Sequence, residues 1–109
     1  MKGFDIMKVV YVVSLTHTWD IIGVFDDVGK MIDATIEELE SGEYWDIVVE
    51  WYCEDNNIDY YAVYDDENFD YDAFNDAVRE YAKINLKRDN AFLDEYYSIE
   101  KFYLNNETT

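Results

Sequence analysis

The chain has 109 residues, 26 of them Asp or Glu against 8 Lys or Arg, for a formal charge of −18, several times what a small soluble domain carries. That length predicts a single domain over residues 1–109, because chains usually divide only beyond roughly 200 residues, and half of the residues are hydrophobic and 18% aromatic, which excludes a disordered acidic tail. A surface of this charge repels nucleic acid and acidic membranes. The single cysteine excludes an intrachain disulfide, and the lack of a long apolar stretch or a signal-peptide pattern predicts a cytoplasmic protein.

From Lys8 to Leu15 the sequence is a continuous, β-branched apolar run, which predicts a central strand. Residues 1–6 precede it and read as an extension. Thr16 to Trp19 reads as a loop, and Asp20 to Phe25 as a second strand. Asp26 and Asp27 then offer an N-cap, and apolar residues from Val28 to Leu39 recur at helical spacing until Ser41-Gly42, predicting a helix over about 27–41.

Beyond Tyr44 the period changes to two. Trp45, Ile47, Val49, Trp51 and Cys53 share one face and Tyr44, Asp46, Val48, Glu50, Tyr52 and Glu54 the other, which predicts a third strand. Asp55-Asn56-Asn57 is turn chemistry, and Ile58, Tyr60, Ala62 and Tyr64 alternate as a return strand, completing a hairpin. After an acidic loop, Phe74, Val78, Tyr81 and Ile84 mark a second helix capped by Asp70 or Asp72, and Phe92, Leu93, Tyr96, Ile99 and Tyr103 mark a third, either separate or continuous with the second in one bent helix.

The predicted order is therefore ββαββαα. A helical crossover makes the second and third strands parallel, with the first between them and antiparallel to both. The expected fold is an α+β domain with a four-stranded, largely antiparallel sheet ordered 2-1-3-4 and helices on one face. Tyr96, Tyr97, Phe102, Tyr103 and Leu104 add more apolar surface than one small sheet covers, so a homodimer through these C-terminal aromatic residues is expected.

Chemistry finds little foothold in this sequence. Cys53 continues the inward phase of the third strand, where it is a small buried hydrophobe rather than a nucleophile, and the four glycines and single His17 form neither a phosphate loop nor a zinc spacing. Asp66, Asn68, Asp70 and Asp72 stand at alternate positions like the start of an EF-hand loop, but its sixth position is Tyr71 and its twelfth Ala77, so the sharp turn and the bidentate ligand are missing. The sequence predicts no catalytic, cofactor or metal site.

The charge is unevenly placed. Between Met31 and Val78 there are 16 acidic residues and no Lys, Arg or His. On the first helix Asp33, Glu37 and Glu40 form a stripe without a basic partner, and on the third strand Asp46, Glu50 and Glu54 share one face at intervals of ~13 Å. Asp59, Asp65, Asp66 and Glu67 fill the gaps from the return strand and the acidic loop. Rows of fixed carboxylates reproduce what a DNA-binding protein mainly contacts, the phosphate charge, and Tyr52 and Tyr61 on the same face add amphipathic contacts. These twelve residues are the expected partner-binding surface.

In size, charge and the Lys8-to-Leu15 and Ile21-to-Phe25 strand pair, the chain resembles the small acidic DNA-mimic proteins with which bacteriophages block host DNA-binding proteins. The resemblance implies an inhibitor without enzymatic activity that occupies the DNA site of a nucleoid protein of the HU type, a restriction enzyme or a CRISPR nuclease, and binds neither nucleic acid nor membrane itself. An immunity or antitoxin protein that blocks one cognate nuclease shares the same composition and is the alternative.

Overall fold

The computed structural model describes residues 7–105, and the reading of residues 1–6 as an extension lies outside them. The elements run β1 (Met7–Leu15), β2 (Ile21–Phe25), α1 (Val28–Ser41), α2 (Trp45–Asp55), α3 (Tyr60–Asp65), α4 (Tyr71–Arg88) and β3 (Tyr97–Asn105). The fold is α+β, with a three-stranded antiparallel sheet ordered β2-β1-β3.

The first half follows the local signals. β1 and β2 form the expected antiparallel pair, with Val12 opposite Val24 and Val13 opposite Gly23. Asp27 caps α1 by accepting the Lys30 N–H at 2.9 Å, and Gly42 ends it with an N–H donated to the Leu39 carbonyl. Met31, Ile32, Thr35, Ile36 and Leu39 are all buried, the spacing of one helical stripe. Thr35 is tolerated there because its hydroxyl donates to the Met31 carbonyl at 2.7 Å, so the buried hydroxyl is not left unsatisfied.

The predicted hairpin is instead two helices. In α2 the buried residues are Val48, Val49 and Cys53, with Trp45 and Tyr52 packed beside them, and positions 45, 48, 49, 52 and 53 form a helical stripe. Nearly every non-acidic position from Tyr44 to Cys53 is apolar, so the segment fits a period of two and a period of 3.6 alike. Its valines and aromatics favour strand, and packing against α4 and α1 overrides that preference. α3 follows because Asp59 caps it, accepting the Tyr61 N–H at 3.1 Å. Asn57 makes the intervening turn with φ 56, a conformation Asn tolerates better than most residues.

The predicted third helix is likewise overturned. Residues 89–96 are turns, and Tyr97–Asn105 is strand β3, paired with β1 from Met7↔Asn105 to Leu15↔Tyr97. With residues 45–55 and 60–65 helical, β3 satisfies the second edge of β1, whose backbone donors and acceptors must be paired where they are covered. The sheet order therefore keeps β1 central, but the strand beside it comes from the far end of the chain.

Val13 of β1 and Tyr97 of β3 are buried in the core, with Tyr11, Leu15, Phe25 and Ile99 packed beside them, so this sheet face carries α1, and α2 and α4 pack in turn against α1. Ile32, Ile36, Leu39, Val49, Phe74 and Val78 are buried. Val24 is 59% exposed, because its side chain points to the opposite face of the sheet.

The β1–β2 loop closes with the Leu15 N–H donated to the Asp20 carbonyl and the Trp19 N–H donated to the Leu15 carbonyl. Trp19 occupies the left-handed region at φ 64 and is 68% exposed. Glycine adopts that conformation without the steric cost of about 1 kcal/mol that an L side chain incurs, although its freer unfolded chain returns part of the difference. Trp19→Gly is expected to stabilise the fold by about 0.5 kcal/mol, measured by urea denaturation followed by circular dichroism.

Candidate acidic interface

All ten acidic residues expected to bind a partner lie in α1, α2, α3 or the turns beside α3. They differ sharply in how far the protein neutralises them.

The row on α1 has basic partners, contrary to the expectation. Arg79 of α4 forms a forked pair with Glu40, Nε to Oε1 at 2.9 Å and Nη2 to Oε2 at 2.6 Å, and also binds Asp76. Lys83 lies 3.3 Å from Asp33. As the numbers rise from 33 to 40 on α1 they fall from 83 to 79 on α4, so the two helices run antiparallel with a zip of charge between them. Glu37 lines the same groove, about 280 Å³, with Ile36 and the four paired residues. The hydrogen bond from Arg79 holds the Glu40 carboxyl below its ordinary value against the opposing effect of burial. The signal was present in the sequence as Arg79 and Lys83 at i and i+4, but only the contact of α1 with α4 gives it meaning.

The row on α2 is different. Asp46, Glu50 and Glu54 are exposed, and no ion pair among the described residues reaches them. A spacing of four keeps them on one side of either a strand or a helix, so they form a row on the helix as they would on the expected strand. On a helix the interval contracts from ~13 Å to ~6 Å, at 1.5 Å per residue, roughly doubling the linear charge density.

This placement works against the helix that carries it. Glu50 has a like charge four residues away on both sides, each pair destabilising by a few tenths of a kcal/mol. Glu54 and Asp55 stand in the last turn with no basic residue beside them, next to the negative end of the helix dipole. α1 repeats the pattern, with Glu37, Glu38 and Glu40 near its C-terminus and no basic residue in its last turn. At their N-termini α2 and α4 agree with the dipole, with Asp46 and Asp72 in the first turn, but only α4 also has basic residues, Lys87 and Arg88, in its last.

The remaining expected contacts divide. Asp59 caps α3, and Asp66 accepts the Asn68 N–H at 2.9 Å, so both have structural duties while staying exposed. Asp65 and Glu67 are exposed with no such bond. Asp55, not among the expected contacts, accepts the Tyr81 hydroxyl at 2.6 Å, and burial first, then this bond, pushes the Tyr81 hydroxyl well above its ordinary value.

Tyr61 is 75% exposed on α3, with its ring edge-on to Tyr60. Tyr52 is not on that surface: its ring packs edge-on against Phe74 and Tyr81, at centroid distances of 5.7 and 5.4 Å, and joins α2 to α4. Among the described residues no group of His, Cys, Asp and Glu is arranged to hold a metal, no helix is long and apolar enough to cross a membrane, and Cys53 is buried, its thiol pushed up chiefly by desolvation. Comparison with protein-family models, curated proteins and solved structures returned no match.

Two outcomes follow from this electrostatic pattern. Glu50→Gln removes both like-charge contacts on α2 and is expected to raise stability by about 0.5 kcal/mol at low salt, with the gain fading in high salt, as read by thermal melts. Arg79→Ala is expected to cost about 1 kcal/mol near neutral pH, because the pair with Glu40 is forked but one-third exposed and therefore screened. A lowered carboxyl value in the fold means this stabilisation is full above the ordinary carboxylate range and is lost as pH falls through it. Urea denaturation at about pH 7 and below about pH 4 should show the gap between parent and variant closing in acid.

Proposed function

We propose that the protein is a DNA-mimic inhibitor that acts in the cytoplasm, without enzymatic activity, by occupying the basic DNA-binding surface of a host DNA-binding protein. The targets that fit are a nucleoid protein of the HU type, a restriction enzyme or a CRISPR nuclease. The observation that carries this reading is the row Asp46, Glu50 and Glu54, three exposed carboxylates at ~6 Å intervals with no ion-pair partner among the described residues, of which Glu50 and Glu54 stand where they weaken their own helix. A duplex carries one phosphate per ~3.4 Å of axis on each strand, so the row supplies one charge for about every second phosphate. Asp59, Asp65, Asp66 and Glu67 extend it, and Tyr61 offers a ring that can add defined contact to charge attraction.

The α1 row is a weaker part of the surface, because Arg79 and Lys83 have already neutralised two of its three acids. Association between such a row and a basic groove is fast and steeply salt-dependent, since exposed charges are screened over ~8 Å at physiological ionic strength.

The test is displacement of labelled duplex DNA from a DNA-binding protein of these classes. The parent chain should displace it. The triple change Asp46→Asn, Glu50→Gln and Glu54→Gln should require at least about tenfold more protein, equivalent to ~1.4 kcal/mol. A control triple that removes equal charge elsewhere, Asp26→Asn, Asp94→Asn and Glu95→Gln, should behave as the parent, and circular dichroism should show both folded. Equal potency of the two triples overturns the proposal. Inhibition of one nuclease alone, with no displacement of DNA from non-catalytic binders, would favour the immunity-protein alternative.

A further inference from the structure

Strands alternate their side chains between two faces, and the two faces of this sheet have different fates. The inner face, with Val13, Ile99 and Tyr97, carries α1. The outer face presents Lys8, Val10 and Val12 from β1, Ser98, Glu100, Phe102 and Leu104 from β3, and Val24 and Ile21 from β2. Phe102 is 44% exposed, Leu104 48%, Val24 59% and Ile21 66%. The aromatic surface expected to make a dimer is reduced accordingly: Tyr97 is buried, and Tyr96 is stacked on Tyr44 at 4.3 Å, so both are used inside the chain.

In a protein of charge −18 this face is electrically neutral, holding one base, Lys8, and one acid, Glu100. Lys8 pairs across the sheet with Leu104, and Glu100 with Val12, so the two charges lie on either side of the central Val10–Phe102 row. We infer that a second copy of the chain covers this face, with the two sheets stacked about a two-fold axis that crosses the strands at that row. Val10 and Phe102 then meet their own copies, and Lys8 falls diagonally across from Glu100 of the partner subunit, offset sideways by one strand spacing of ~4.8 Å across the ~10 Å between stacked sheets, a gap the two long side chains can close. Two symmetric ion pairs flank an apolar centre, as an isologous contact requires.

The size of the contact sets its strength. Two nine-residue strands and the five-residue β2 give a footprint on the order of 350 Å² per copy, below the roughly 1,000 Å² in total that a stable specific interface buries. A weak dimer, with a dissociation constant in the upper micromolar range, is expected. It goes beyond the mimic reading and is independent of it, because the competition assay scores α2 and the dimer is scored by sedimentation.

Sedimentation velocity of the full chain, from one to several hundred micromolar at about 0.15 M salt, should show a monomer–dimer equilibrium. Lys8→Glu and Glu100→Lys each create a like-charge pair across the axis and should weaken the dimer at least about tenfold. The double variant restores opposite charges and should return to within about threefold of the parent. Both positions are exposed, and circular dichroism checks that each variant is folded. A parent that stays monomeric, a dimer indifferent to both single changes, as edge pairing of β3 would be, or a double variant as weak as the singles overturns the inference.

Discussion

The buried stripe of α1 is the contact on which the rest of the structure depends. Met31, Ile32, Thr35, Ile36 and Leu39 meet the inner face of the sheet on one side and α2 and α4 on the other. One helix serves as the shared wall between the sheet and the other helices. Charged side chains are almost never fully buried without a partner, so the acids are driven to the outside of this seam. The sheet therefore gains a helical layer on only one of its faces.

The aromatic residues do most of the joining around that seam. Tyr44 stacks on Tyr96 and meets Tyr97 edge-on, which ties the α1–α2 turn to the start of β3. Trp51 and Tyr81 both contact Phe92, and thereby anchor the turns of residues 89–96 to α2 and α4. Such ring pairs add roughly 0.5–1.5 kcal/mol beyond their buried area. Burial first, and then Glu38, push the Tyr97 hydroxyl up to about 12, so it stays neutral throughout the physiological range. The aromatic content that looks like spare surface in the sequence is mostly mortar between elements.

Electrostatics divide the helices into two kinds. α4 places its charges in agreement with its dipole, and its Arg79 and Lys83 quench part of the α1 row. α2 does the opposite with every charge near its C-terminus, and nothing among the described residues compensates it. Natural sequences usually keep local preferences consistent with the fold and depart from that rule at functional sites, which is why the α2 row, rather than the total charge, bears the functional argument.

Where local chemistry decided the outcome, the sequence was sufficient. The caps Asp27 and Asp70, the Ser41-Gly42 stop, the antiparallel β1–β2 pair, the α1 stripe and the location of the acidic segment were all legible, because each depends on residues close together in the chain. Tertiary structure decided the rest. Residues 45–53 are apolar enough to satisfy two periods, and only the neighbouring α4 and α1 select the helical one. Tyr97–Asn105 carries Ile99 inward and Phe102 outward by the two-residue alternation of a strand, and its pairing depends on an edge of β1 formed some ninety residues earlier. The same holds for the interface: composition determined that a concentrated acidic surface exists, whereas its spacing, its neutralisation by Arg79 and Lys83, and the inward turn of Tyr52 were fixed by contacts between segments distant in sequence.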